Sequence, residues 1–128
     1  MYRAAVLTGI VLLAVAPPVA AQTTAWTTLA TVPLHPGRDG EAVTVRTNQQ
    51  PFREIRVCAD RQSVRLTELR VNFVRGNRQQ IAIQRTLQSR ACTRPSSLRQ
   101  RSAIRSIYVG HGRVRARSPL ATVRVQVR

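Results

Sequence analysis

Hydrophobic and polar residues alternate along much of the chain, which is the pattern of half-buried β-strands. The alternation runs through residues 41–46, 54–59, 64–73, 80–87, 104–109 and 121–127. An earlier stretch, 22–34, carries Trp26 and Leu29 among threonines and is followed by turn residues, which also favours a strand. Since no stretch after residue 21 shows a capped apolar stripe of helical period, the pattern predicts an all-β fold.

Two places in this pattern predict local detail. The parity of the apolar positions changes between Leu66 and Leu69, so a β-bulge is expected near Thr67 and Glu68. At the C-terminus, residues 113–117 and 121–127 alternate on either side of a Ser-Pro pair, which predicts a β-hairpin. Seven or eight short strands separated by turns are typical of a single antiparallel β-sandwich, with a small β-barrel as the alternative.

Four stretches carry a resemblance to a known group of proteins. They are Ile55-Arg56-Val57, LRVNF at 69–73 before a Gly-Asn turn, RSAIRSIYV at 101–109 and ATVRVQV at 121–127. Between residues 52 and 127 the chain resembles small exported bacterial β-sandwich proteins of uncharacterised function. The resemblance implies the sandwich fold, and it implies no site residues because that group has no established catalytic residues.

The first 21 residues have the layout of a secretory signal peptide. Arg3 gives a positive start, residues 4–16 are uncharged, and the segment from Pro17 to Ala21 ends in the small residues that signal peptidase accepts. This apolar stretch is too short to cross a bilayer of about 30 Å, so no membrane span is expected after cleavage. We therefore predict a signal peptide at 1–21, a β-sandwich domain at 22–128, and a periplasmic or secreted location.

Cys58 and Cys92 are the two cysteines of a chain that we expect to enter an oxidising compartment. Neither belongs to a Cys-x-x-Cys motif, which argues against redox catalysis. A structural disulfide between Cys58 and Cys92 is therefore predicted, and a free or reactive thiol is the alternative.

The charge is strongly positive and unevenly placed. The 21 basic residues are all arginine, the five acidic residues all precede residue 69, and the formal net charge is +16. Guanidinium groups bind phosphate and carboxylate through paired hydrogen bonds, which is one explanation for the arginine content. A GC-rich genome, which would also enrich arginine, is the other explanation. We expect anionic cell-envelope polymers or lipid headgroups as partners, and export argues against nucleic acid.

The predicted C-terminal hairpin concentrates this charge. Its polar positions include Arg113, Arg115, Arg117, Arg124 and Arg128, and we predict that these five residues form an anion-binding face. The alternative is that they are only the solvent-facing half of an amphipathic strand pair. A protein partner could instead pair with residues 121–127 if that strand lies at the edge of a sheet.

Few residues are available for catalysis or metal binding. His35, Asp39 and Glu41 lie close together, but turn residues explain this segment without a metal, and His111 between two glycines indicates an exposed loop. No hydrolase or phosphate-loop motif is present. We predict a non-catalytic binding or envelope-associated protein without metal or cofactor. A small hydrolase or metal-binding protein is the alternative, and it requires a pocket where Asp39, Glu41 or Asp60 meets a histidine.

Overall fold

Eight β-strands and no helix make up the regular structure of the described residues in this computed structural model. The structure describes residues 4, 9–14, 25–46, 51–116 and 119–128. The strands are β1 (Thr27–Pro33), β2 (Gly40–Thr44), β3 (Glu54–Ala59), β4 (Val64–Phe73), β5 (Gln79–Leu87), β6 (Ser96–Ser97), β7 (Ile104–His111) and β8 (Thr122–Val127). The predicted all-β class is confirmed.

The strands form two antiparallel sheets of four. Sheet A has the order β1-β8-β3-β6, and sheet B has the order β2-β7-β4-β5. Within the described ranges the strands do not close into a barrel, so the predicted sandwich is confirmed over the barrel alternative. The hydrophobic core lies between the two sheets, as in other stacked-sheet folds.

The apolar positions of the alternation build this core. Ile55, Val57 and Ala59 of β3 and Val123 and Val125 of β8 are at most 1% exposed. Residues of β4 and β7 supply the facing layer from sheet B. β-Branched side chains dominate these strands because they pack well on a pleated surface. Successive strand residues point to opposite faces, so the polar positions between them lie on the outer faces of the sheets.

The predicted bulge in β4 is confirmed. The register of β4 shifts between Leu66 and Glu68 in its pairing with both β5 and β7. The shift allows Leu66 and Leu69 both to be buried, at 0% and 2% exposure. On β5 the irregularity includes Gln84, whose φ of 44° lies in the left-handed region. Arg85 then pairs with Leu66, which places Arg85 on the core side of the edge strand β5.

The predicted C-terminal hairpin is wrong. Residues 112–116 form no strand, and β7 and β8 belong to different sheets. β8 pairs with β1 on one side and with β3 on the other. It is therefore a central strand, so residues 121–127 do not offer the free edge that was expected for a protein partner.

The predicted disulfide between Cys58 and Cys92 is confirmed. It joins β3 to the connection between β5 and β6, where the two cysteines also form an isolated antiparallel bridge. Thr93 adds two hydrogen bonds to Val57, since its N–H donates to the Val57 carbonyl and its hydroxyl accepts from the Val57 N–H. These links fix the residues that follow Cys92 beside β3.

The predicted signal peptide falls largely outside the described residues, because residues 1–3, 5–8 and 15–24 are not described and include the expected cleavage site. Residues 9–14 form neither strand nor helix. Ile10 to Leu13 are 79–88% exposed and take no part in the core. Across the described ranges, no helix has the length and apolar character needed to cross a membrane.

Candidate functional site

Three arginines and a tryptophan come together on the outer face of sheet A. Arg56 of β3 pairs with Gln126 of β8, which lies between Arg124 and Arg128 on the same strand face. Trp26, just before β1, contacts two of these arginines, with the Cζ atoms of Arg56 and Arg128 at 4.2 and 4.3 Å from the ring centroid. We call Trp26, Arg56, Arg124 and Arg128 the outer-face cluster.

Neighbouring side chains hold two arginines of the outer-face cluster in place. Arg56 Nε donates a hydrogen bond of 2.9 Å to Gln126 Oε1. Arg128 donates through Nε and Nη2 to the two carboxylate oxygens of Glu54, over 3.3 and 3.4 Å. The contacts of both guanidiniums with the Trp26 ring add cation–π attraction. Arg56 and Arg128 therefore occupy defined positions on this face.

The positive charge of the outer-face cluster is only partly neutralised. In the described part of the chain, Glu54 is the one acidic side chain within ion-pair distance of the three guanidiniums. Burial lowers the pKa of Arg56, and the charges of Arg128 and Arg124 lower it further. The Nε–H of Arg124 is buried without a hydrogen-bond partner among the described residues. An anion bound here would gain charge-assisted hydrogen bonds and reduce this repulsion.

The structure describes four of the five arginines of the predicted anion-binding face. Arg124 and Arg128 lie on the outer face of sheet A, in line with the alternation of β8. Arg113 and Arg115 lie in the irregular segment between β7 and β8. Arg117 lies outside the described residues. Arg113 and Arg115 therefore do not share a β-hairpin with Arg124 and Arg128, and anion binding by these residues stays a prediction.

Sequence reasoning missed Trp26 and Arg56. Arg56 lies between Ile55 and Val57, so its outward direction was visible in the alternation. Its proximity to β8 was not visible, because the hydrogen bond between Arg56 and Gln126 joins residues 70 positions apart. Trp26 is partly exposed and contacts Arg56 and Arg128, which are also distant from it in sequence.

A second group of functional side chains surrounds a buried carboxylate near the ends of β2 and β7. Glu41 is 6% exposed and His111 is 2% exposed. Glu41 Oε1 accepts a 2.8 Å hydrogen bond from the backbone N–H of His35 and lies 3.1 Å from His35 Nδ1. Glu41 Oε2 accepts from Arg38 Nη1 over 3.3 Å. We call Glu41, His35, Arg38 and His111 the buried carboxylate cluster.

These contacts favour the ionised form of Glu41. Burial alone would raise the pKa of the Glu41 carboxyl, but the hydrogen bonds from His35 and the interaction with the His111 ring hold it below its ordinary value. His111 Nδ1 lies 2.7 Å from the Gly112 carbonyl, which can only accept, so Nδ1 carries a hydrogen. Its Nε2 lies 3.5 Å from Glu41 Oε1, which is long for a hydrogen bond. The cluster thus ties the β1–β2 loop to the end of β7.

Two expectations from the sequence concern residues of the buried carboxylate cluster. The expectation of an exposed His111 is wrong, because β7 extends through that residue and buries it. The hydrolase alternative required a carboxylate to meet a histidine, and Glu41 does so, although its carboxylate is covered by protein. Asp39 instead contributes its backbone carbonyl, which accepts from the His111 N–H. The described ranges contain no group of three His, Cys, Asp or Glu residues placed to hold a metal ion.

Comparison with known proteins gives one match. The family model described as "Domain of unknown function (DUF2541)" matches residues 6–126. The matched region begins within the predicted signal peptide and includes the buried carboxylate cluster and all of the outer-face cluster except Arg128. No curated protein and no solved structure matches the chain. Because the family model covers most of the sequence, the chain belongs to DUF2541, a family whose function is unknown.

Proposed function

We propose that this protein binds anionic groups of cell-envelope polymers or lipids through the outer-face cluster, without catalysing a reaction. The main support is the convergence of three guanidiniums near a single carboxylate, together with the buried and unpartnered Nε–H of Arg124 in the described structure. Phosphate, sulfate and carboxylate groups offer paired oxygens that match the planar guanidinium.

Water can stabilise the charges of other, exposed arginines in this chain. It is less able to stabilise the charges of the outer-face cluster, which is partly buried. Arg65 and Arg105 of sheet B are exposed, so water can screen their charges. Arg56 is only partly exposed, and its pKa is lowered by burial and then by two neighbouring arginines. Like charges held together in a partly buried place reduce stability, and a bound anion would offset that cost.

The proposed place of action is the periplasm or the cell exterior. The Cys58–Cys92 disulfide fits an oxidising compartment. The signal-peptide layout of residues 1–21 supports export, and the exposed Ile10 to Leu13 are outside the folded core. Polyanions available there include acidic polysaccharides, the phosphates of lipopolysaccharide and anionic phospholipids.

Replacing Arg124 and Arg128 by glutamine should weaken binding to heparin, used as a soluble polyanion, by at least about tenfold at low salt. The loss is expected because two guanidiniums of the cluster disappear while the sandwich core stays unchanged. Wild-type binding should also weaken steeply as ionic strength rises, since exposed charges are screened by salt. Titration calorimetry on the purified chain measures both effects.

The matched control is Arg65→Gln with Arg105→Gln, which removes the same charge from exposed positions of sheet B. If the control loses as much affinity as the outer-face variant, net charge governs binding and the proposed site is rejected. Vesicles of phosphatidylcholine with and without phosphatidylglycerol then distinguish a lipid headgroup from a polysaccharide as the bound anion. An outer-face variant with wild-type affinity for both probes would also reject the proposal.

A further inference from the structure

A cleft of about 150 Å³ lies at the flank of the sandwich where β5 and β6 are the edge strands. Its apolar lining comes from Ile55, Leu69, Ile81 and Ile83. Ile55 and Leu69 belong to the buried core, and Ile81 and Ile83 are partly buried against it.

The charged residues that line this flank cleft are all arginines, namely Arg56, Arg85 and Arg94. Strand register places Arg85 in the cleft. Arg85 pairs with the inward-facing Leu66, so its side chain lies on the core side of β5. Arg85 and Arg94 are exposed, so their guanidiniums can meet both solvent and a ligand. The lining therefore combines an apolar floor with cations, which selects for a ligand that is apolar at one end and anionic at the other.

The apolar and cationic parts of the cleft follow one another along β5. Ile81, Ile83 and Arg85 are alternate residues of this strand. Gln84, between Ile83 and Arg85, has the left-handed φ of 44°, a conformation that residues other than glycine seldom adopt and that is often retained at ligand sites. This elongated arrangement suits an extended alkyl chain better than a compact ring.

The opposite wall of the cleft is held by the disulfide. Thr93, Arg94 and Ser96 line the cleft directly after Cys92 in sequence. The Cys58–Cys92 bond and the two hydrogen bonds between Thr93 and Val57 fix this segment beside β3. A ligand would therefore enter a space whose two walls are already in place, which reduces the entropy cost of binding.

We propose that the flank cleft binds a medium-chain fatty acid. The alkyl chain lies against Ile81 and Ile83, and the carboxylate accepts hydrogen bonds from Arg85 and Arg94. Charge complementarity favours this occupant over a neutral lipid, because every charged side chain of the lining is cationic. The cleft shares Arg56 with the outer-face cluster. The residues proposed to hold the alkyl chain and the carboxylate lie outside that cluster, so this proposal does not depend on polyanion binding at the outer face.

A simpler role for Arg85 is to block edge-to-edge pairing, since inward-pointing charges on edge strands prevent another strand from adding to the sheet. That role requires no ligand. It predicts that Arg85→Gln favours self-association and that no alkyl carboxylate binds, so the two interpretations differ in a measurable way.

Calorimetric titration of the full chain with octanoate tests the proposal, with octanol and acetate as separate probes. Octanoate should bind saturably, octanol at least about tenfold more weakly, and acetate not measurably, because only octanoate engages both parts of the cleft. Arg85→Gln and Arg94→Gln should each weaken octanoate binding by about tenfold. Ile83→Asp should abolish it, because the new carboxylate would repel the ligand and remove apolar surface.

Arg65→Gln and Arg105→Gln are the controls, because both residues are exposed on sheet B and neither lines the cleft. Both variants should bind octanoate as the wild type does. Arg85 and Arg94 lie outside the outer-face cluster, so a failure of that cluster to bind heparin would leave the octanoate result unchanged. Three results would overturn the proposal: no saturable octanoate binding up to about 1 mM, equal binding of octanol, or equal loss in the controls. Self-association of Arg85→Gln without octanoate binding would support the edge-blocking role instead.

Discussion

Replacing both cysteines by alanine is expected to lower the free energy of unfolding by about 3–4 kcal/mol, because the disulfide closes a loop over a sequence separation of 34 residues. The bond restricts the unfolded chain, and in the folded state it holds the β5–β6 connection against β3. Cys58 is 1% exposed, so its replacement also leaves a small space in the packing. Equilibrium urea denaturation of wild type and variant measures the difference.

Reduction of the wild-type protein provides the control for this prediction, because it opens the bond without changing the sequence. Reductant should destabilise the wild type by a similar amount and should leave the double-alanine variant unchanged. A difference between wild type and variant of less than about 1 kcal/mol would show that the bond contributes little to the fold.

Glu41→Gln is expected to lower the free energy of unfolding by about 2–4 kcal/mol, because it removes the charge from a buried carboxylate and leaves its partners imperfectly paired. The amide keeps the shape of the side chain but cannot act as an anion toward His35, Arg38 and His111. Glu68→Gln is the control, since Glu68 is more exposed and pairs with Arg70 near the surface. Its effect should stay below about 1 kcal/mol.

The Glu41 effect should depend on pH in a defined direction. The folded-state pKa of Glu41 lies below its ordinary value of 4.5, so the stability it contributes is present above that value and is lost as pH falls through the folded pKa. The difference in free energy of unfolding between wild type and Glu41→Gln should therefore become smaller as the pH falls from about 5 to about 2. If this difference in free energy of unfolding stays constant across the interval, the ionised carboxylate does not stabilise the fold.

Local pattern was sufficient to predict much of the sandwich. In β3 and β8 the alternation identified the buried valines and isoleucine, and the change of parity in β4 correctly located the bulge between Leu66 and Glu68. These predictions succeed because the direction of a side chain in a strand depends on its immediate neighbours. The two cysteines also paired as expected, since the chain contains no others.

Strand partners could not be predicted in the same way. Residues 113–117 alternate as regularly as β8, yet residues 112–116 connect the two sheets and pair with neither as a strand. Gly110 and Gly112 suggested a loop around His111, but a Cβ at Gly110 would collide with Thr67, so the glycine permits close packing of β7 on the bulge of β4. Both errors concern contacts between segments that are distant in sequence.

The same limit applies to the candidate site. The C-terminal pattern alone points to Arg124 and Arg128, and their outward direction follows from the alternation of β8. Arg56 and Trp26 join them only because β3 and the segment before β1 flank β8 in sheet A. Clustering of charge on one face is thus a property of the strand order, which the sequence pattern does not contain.

Fluorescence of Trp26 offers the most direct test of anion binding at the outer-face cluster, because Trp26 is the only tryptophan and contacts Arg56 and Arg128. Titration with heparin at low salt should change its emission saturably, and the change should fade at high salt. It should persist in the Arg65→Gln, Arg105→Gln control and be lost in the Arg124→Gln, Arg128→Gln variant. Heparin binding by calorimetry with unchanged Trp26 emission would place the anion elsewhere and contradict the proposed site.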